Sequence, residues 1–525
     1  MINMARGDHL VHGDRTFGCL LISSPQGHSG KTIVTVGLCN LLTQRGFLIQ
    51  PFKKGPDYID PSWLTIAAGR SCRNLDLFLV PKGKLIQTFE QACKNAELAI
   101  VEGAMGLYDG IDTHGTTAEI ARLLTIPVVL LVNTSRMTSS IAAMVMGYQH
   151  FQPETNIAGV VLNYVSGIRH ESKLRNAVEK YCKIPVVGSI PKDESLRIAE
   201  RHLGLIPCPE SSDAESVVER IGDRLKSHLD LDEILAIARE FSPPHRAVAK
   251  AACLHEVSRR KEAMARRRPS PLPPGERAPF ISPRPLGGRI PSISPRPACG
   301  ERAGVRGNRT SKVRLGVIFD RAFNFYYPEN LEALANEGAE LLFINSFKDR
   351  LPKSDGLYIG GGFPEFFLRE LEGNRGLRGD IAEAVQRGLP VYAECAGLMY
   401  LCRKIHWQDR SYEMVGAIPA EVQVSEKPEG HGYVIAEVMD ENPLFPIGLT
   451  IRGHEFHHSK VSIKKEVKFA YRIRRGHGID GQRDGVLYKN IFAAYTHLHA
   501  LGTPSWAEAF VSLAAKEGKF RRRSR

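Results

Sequence analysis

Short apolar runs alternate with amphipathic stretches along two parts of the chain. In the first, from about residue 16 to 245, the runs are Gly18–Ser23, Leu98–Glu102, Val128–Asn133, Ile157–Asn163 and Ile184–Ile190. Continuous apolar runs rich in β-branched residues predict strands buried on both faces of a parallel sheet. The stretches between them, such as Ile33–Gln44, predict crossover helices. A second part, from about 313 to 517, restarts the pattern. Strands are predicted at Val313–Phe319, Glu340–Asn345, Gly356–Ile359 and Leu389–Ala393, with helices at Glu365–Glu372 and Leu377–Arg387. The predicted fold class is α/β, with two doubly wound domains.

The stretch between them, 246–312, breaks both periodicities. It is rich in Pro, Arg, Gly and Ser, and it repeats itself: ISPRP occurs at Ile281–Pro285 and Ile293–Pro297, GERA at Gly275–Ala278 and Gly300–Ala303. Too few large apolar residues occur here to form a core, so a disordered linker is expected.

Charge changes the picture little. The net charge of the 525 residues is +13, but Arg259–Arg309 alone holds 13 Arg or Lys against 3 Glu, and the last seven residues add five bases. Basic charge confined to a linker and a tail argues against nucleic-acid binding as the main function. No apolar run approaches the ~20 residues of a membrane span, and the N-terminal stretch has no signal-peptide core. A cytoplasmic protein with no membrane partner is expected. The ten cysteines form no CxxC pair, which leaves neither a zinc site nor a disulfide framework.

Ser23–Thr32 reads SSPQGHSGKT between a predicted strand and a predicted helix. Gly27 and Gly30 let backbone N–H groups turn toward phosphate oxygens, and the helix N-terminus adds its partial positive charge. Lys31 suits the β- and γ-phosphates, and the Thr32 hydroxyl suits Mg²⁺. Ser29 and Lys54 complete the expected ATP-binding set. The first Gly of the usual P-loop is Pro25 here. Metal carboxylates are expected from Lys53–Pro61 (KKGPDYIDP) and Val101–Asp112 (VEGAMGLYDGID): Asp57 and Glu102, beside Thr32, as Mg²⁺ ligands. Tyr58, Asp60 and Asp109 fall to the substrate pocket.

GHSGKT, PFKKGPDYIDP, AAGRSCRNLD (67–76), VEGAMGLYDG and ERHLGL (200–205) together resemble the cobyrinic acid a,c-diamide synthase family. The family's N-terminal domain is similar to dethiobiotin synthetase. The resemblance covers both patterned regions and lapses at the linker. DRAFNFYY (320–327) and RGHEFHHS (452–459) resemble the family's amidotransferase half.

Leu389–Leu401 (LPVYAECAGLMYL) predicts a strand running into Cys395 and a helix leaving it, an elbow that exposes a nucleophile at a helix N-terminus. A thiol needs a base. In Tyr495–His499 (YTHLH), His497 fits the Y-x-H position of related amidotransferase domains. His499 falls where many such glutaminases carry the carboxylate that orients the base, so a third partner is absent or comes from elsewhere. The Gly360–Glu365 turn (GGGFPE) offers the N–H groups of Gly361 and Gly362 to an oxyanion hole, with Ala396 as the other donor. A metal at His454, His457 and His458 is the weaker reading of that cluster.

The resemblance implies an amide ligase. Glutamine gives ammonia at Cys395, MgATP phosphorylates a carboxylate in the first domain, and ammonia displaces the phosphate. The substrate implied is cobyrinic acid, amidated on its a and c acetates on the way to cobalamin. Hydrogenobyrinic acid and nickel-sirohydrochlorin stay open, as does, from another class, a P-loop partitioning or regulatory ATPase. A homodimer is also left open.

Overall fold

The computed structural model describes residues 17–111, 114–201, 204–211, 213–241 and 312–523. Of the expected linker, 246–312, all but Lys312 lies outside the described residues.

The first unit is built on a seven-stranded parallel sheet. Its strands are β1 (Gly18–Ser23), β2 (Ile49–Lys54), β3 (Arg73–Leu75), β4 (Leu98–Glu102), β5 (Val128–Asn133), β6 (Ile157–Val165) and β7 (Val186–Pro191), in the order β3-β2-β4-β1-β5-β6-β7. Every residue of β1 and β4 is buried, as strands covered on both faces must be. Two apolar clusters fill the two faces. One gathers Leu21, Phe52, Val101 and Leu130, the other Leu20, Ile49, Ile100 and Leu131, which come from the opposite faces of the same four strands. The chain leaves β1 into helix α1 (Lys31–Gln44) and leaves β2 into helix α2 (Ile59–Ala68). Both turns lie at the carboxyl ends of interior strands, where open α/β sheets place their ligands.

The second unit has a ten-stranded mixed sheet. Five parallel strands run in the order Ala339–Ile344, Val313–Ile318, Gly356–Ile359, Val391–Glu394, Ile491–Ala494. The sheet then continues antiparallel through Arg483–Tyr488, Lys468–Arg475, Gly430–Val438, Thr450–His457 and His497–Leu498. The antiparallel half is a finding beyond the sequence expectation. Its strands mix buried with partly or fully exposed positions, as in Gly430–Val438 and Lys468–Arg475, and so lack the continuous apolar signal of the parallel ones. The C-terminal helix runs Ser505–Arg523.

The two units share a packed boundary. Tyr327 is fully buried in the same apolar cluster as Leu79 and Val80 of the first unit, with Tyr433 and Leu501 packed against it. Arg73 forms ion pairs across the boundary with Glu329 at 2.9 Å and Glu332 at 2.5 Å. The Tyr433 hydroxyl donates to the Asp76 carboxylate at 2.6 Å, and the Arg452 guanidinium lies over the Phe78 ring.

Candidate active sites

The loop between β1 and α1 brings Lys31 back over itself. Its ammonium donates to Ser24 Oγ (2.9 Å), Gln26 O (3.3 Å) and Met105 O (2.7 Å). Gly30 sits at φ +89°, and a Cβ there would meet the Asn163 amide nitrogen at 2.7 Å, so this position needs glycine twice over. That nitrogen donates to the Ser29 carbonyl, while the Ser29 hydroxyl donates to Gln26 O. The carbonyl of Pro25, where a P-loop usually has glycine, accepts a hydrogen bond from the Tyr148 hydroxyl, so the loop is pinned by the helix Ser140–Phe151. Burial pushes the Lys31 ammonium down to about 8, with Lys53 repelling it and Glu102 and Asp60 acting against the shift.

Beside the loop, three carboxylates meet one lysine that the sequence reading did not single out. Lys53 Nζ lies 2.6 Å from Asp60, 2.7 Å from Glu102 and 3.8 Å from Asp57. Burial would lower this lysine, but the three acids overcome it and hold it charged. Burial pushes Glu102 up to about 7, and Asp57 rises with it, burial and the neighbouring Asp60 being the causes. Asp60 goes the other way: burial opposes ionisation, but its contact with Lys53 keeps it below the ordinary carboxylate range. Thr32 Oγ1 donates to Glu102 Oε1 at 2.8 Å, and the buried Glu102 Oε2 has no hydrogen-bond partner among the described residues. A hydroxyl and an unpartnered carboxylate oxygen side by side fit a hard cation such as Mg²⁺. Among the described residues no three His, Cys, Asp or Glu side chains gather as a metal site on their own, His454, His457 and His458 included. Lys54, next along β2, is buried and its pKa is lowered by desolvation. Asp109 accepts the N–H of Gly106 and so shapes its own turn; Gly27 lies against the Met105 side chain.

Tyr58 sits between Asp57 and α2, and its ring leaves the first unit. It stacks on Phe325 (5.0 Å between centroids, 8° between planes) and lies 4.7 Å from Tyr327, 5.5 Å from His454 and 5.4 Å from His497.

In the second unit, Cys395 stands between the strand Val391–Glu394 and the helix Ala396–Leu401, at φ +49° and ψ −104°. A non-glycine residue held there is strained, as the nucleophile of a strand–helix elbow is. Its N–H is fixed by Ala494 O at 2.7 Å, and its Sγ lies 3.7 Å from Phe456 O. Burial drives the thiol well above its ordinary value and Glu365 adds to that, while the Ala396 N–H works in the opposite direction. The thiol opens on a pocket lined by Gly362, Phe363, Glu365, Val424, Phe456 and His457.

His497 is fully buried and pairs across strands with His454, their rings stacked at 4.9 Å. A Cβ on Gly361 would lie 2.4 Å from His497 Cε1 and 3.2 Å from Nε2. The two-glycine turn therefore touches the histidine with Gly361 and the cysteine pocket with Gly362. The His499 ring lies 4.5 Å from the Tyr327 ring, tilted by 39°, and its Nε2 is 3.7 Å from Glu329 Oε2, on the boundary side of the unit.

Comparison with known proteins agrees with this division. Residues 20–206 match the CobQ/CobB/MinD/ParA nucleotide binding domain, and residues 314–505 match the CobB/CobQ-like glutamine amidotransferase domain. Nearly the whole chain is similar to proteins named cobyrinate a,c-diamide synthase. The one from Magnetococcus marinus is 40% identical, covering 95% of this chain and 98% of its own. Those from Archaeoglobus fulgidus (36%, covering 95% and 98%) and Methanosarcina acetivorans (37%, covering 96% and 96%) are similar over the same extent.

Proposed function

Because the chain belongs to the cobyrinate a,c-diamide synthase family, we propose that it amidates the a and c acetates of cobyrinic acid by the following division of labour. It is an ATP-dependent carbon–nitrogen ligase with glutamine as amido donor. Cys395 attacks the glutamine side-chain amide, His497 takes the thiol proton, and the N–H groups of Gly361, Gly362 and Ala396 receive the developing oxyanion. Ammonia leaves, and water then frees glutamate from the thioester. In the other domain Gly27, Ser29, Gly30, Lys31, Thr32 and Lys54 hold ATP. Thr32, Asp57 and Glu102 would hold Mg²⁺, which when bound offsets phosphate charge. Lys53 keeps Asp60 and Glu102 in register, and Tyr58, Asp60 and Asp109 border the acid substrate. Phosphorylation turns a carboxylate, a poor electrophile, into an acyl phosphate that ammonia can open.

The observation that carries this reading is Tyr58. One residue of the acid cluster's own loop packs against the histidine of the glutaminase domain, so the two chemistries sit on either side of a shared, water-poor boundary. Ammonia crossing such a boundary stays unprotonated and nucleophilic. A partitioning ATPase would have no use for the Cys395 elbow. The same reading puts the enzyme in the cytoplasm with ATP and glutamine, and leaves a homodimer to be tested by light scattering.

The test is ATP- and glutamine-dependent mass gain on cobyrinic acid, hydrogenobyrinic acid and nickel-sirohydrochlorin. Two successive replacements of OH by NH₂ on cobyrinic acid are expected. Faster amidation of either other macrocycle would reassign the substrate, and ATP turnover indifferent to all three would overturn the ligase reading.

A further inference from the structure

We propose that Glu394, the residue immediately before the nucleophile, is the positioning carboxylate of the glutaminase histidine. This rests on His497 being the base for Cys395.

The usual carboxylate position, two residues after the histidine, holds His499, which faces Glu329 and the domain boundary instead. On the other side of His497, Glu394 Oε2 lies 3.5 Å from Nδ1. Among the described residues the buried His497 Nδ1 atom has no hydrogen-bond partner, and Glu394 is the carboxylate paired with it. The separation is longer than a formed hydrogen bond, the looseness usual in sites that tighten when substrate binds. With Nδ1 turned to Glu394, Nε2 is turned to Gly361, whose turn continues into the cysteine pocket.

Glu394 is itself held for such a task. It is fully buried, and three donors fix its oxygens: the Tyr392 hydroxyl (2.9 Å) and the Leu498 N–H (3.2 Å) on Oε1, and the Tyr358 hydroxyl (3.1 Å) on Oε2. All three donate and none neutralises, which is the environment of a carboxylate that must stay an acceptor. Its charge also raises the Cys395 thiol, a disadvantage beside a nucleophile unless the carboxylate serves the base. Ionised Glu394 selects the tautomer with hydrogen on Nδ1 and stabilises the imidazolium after Nε2 accepts the thiol proton. The other groups facing His497 are the His454 ring, which burial and then His497 itself keep neutral, and the Tyr58 ring.

The experiment measures glutamine hydrolysis against pH for the full chain and for Glu394→Gln, Glu394→Asp and His497→Ala, with ammonia-dependent amidation as the control on each preparation. For Glu394→Gln, kcat/KM with glutamine should fall on the order of 10²- to 10⁴-fold. Its acid limb should move to lower pH by about one unit or more, because the imidazolium loses its counter-charge. Glu394→Asp should restore part of both, and ammonia-dependent amidation should persist. An acid limb that stays in place in Glu394→Gln, whatever the rate, overturns the proposal. If Glu394→Gln also loses the ammonia reaction, the limb of Glu394→Asp decides by the same criterion. Full glutaminase activity in His497→Ala would instead sink the assignment of the base.

Discussion

The Tyr58 ring of the nucleotide-binding domain and the His497 ring of the glutaminase domain meet across the boundary, 5.4 Å between centroids and tilted by 55°. Aromatic pairs of this kind contribute about 0.5–1.5 kcal/mol each beyond their buried area, and Tyr58 makes several at once. Replacing it with Ala should open the boundary while leaving Cys395 and Lys31 in place. Glutamate released per amide formed should rise several-fold as ammonia escapes, measured by parallel assay of both products. A ratio equal to that of the unaltered chain would show that Tyr58 seals nothing.

Cys395→Ser should abolish glutamine-dependent amidation yet leave amidation with added ammonium salts. The strained elbow remains, but a hydroxyl is a poor nucleophile beside a base matched to a thiol. Loss of both activities would mean that the two sites are not separable.

Gly361→Ala should mimic that phenotype for a steric reason. The added methyl would sit 2.4 Å from His497 Cε1, so the ring must move. Misplacement on the order of 1 Å costs about 10²-fold in rate. Glutamine-dependent turnover should fall by at least that much while the ammonia reaction survives.

Lys31 gives a pH signature. Burial holds its pKa down to about 8, so near pH 8 to 9 a substantial fraction is neutral. Bound phosphates favour the charged form, and the complex therefore takes up a proton. Titration calorimetry in buffers of different ionisation enthalpy should show net proton uptake in this window. Nucleotide affinity should weaken as pH rises through it. Lys31→Ala should erase the uptake along with most binding.

Arg73→Ala removes two ion pairs at the boundary and leaves Glu329 buried beside His499. A truncated partner of this kind costs about 2–5 kcal/mol, seen as a lower midpoint of thermal unfolding. Adding Glu329→Ala should cost less than the sum of the two single changes, since the stranded charge goes with it.

Most parallel strands of both sheets and the nucleophilic and phosphate-binding turns were legible in the sequence, because buried parallel strands and strand-to-helix loops leave contiguous signals; β2, β3 and Ile491–Ala494, which are short or carry polar residues, were not singled out. The antiparallel strands between 430 and 498 left only a mixture of apolar and polar positions, which loops imitate. Lys53 and Lys54 stand side by side on β2, and a strand sends neighbours to opposite faces. Nothing local says which of them meets Asp60 and Glu102, and Lys53 does. Tyr58 was read with its motif as a substrate contact, since the partner ring Phe325 is 267 positions away in the chain and on another fold. Glu394 was overlooked for a similar reason. Its neighbour in sequence is the cysteine, but the atom it faces belongs to a histidine that reaches it through strand pairing.

The boundary has a consequence for how such an enzyme can be encoded. Arg73, Asp76 and Tyr58 travel with the first half, and Glu329, Glu332, Tyr433 and Phe325 travel with the second. Two polypeptides translated from separate genes would each carry a full set of matching contacts, so a fused and a split version of this catalyst can assemble the same working pair.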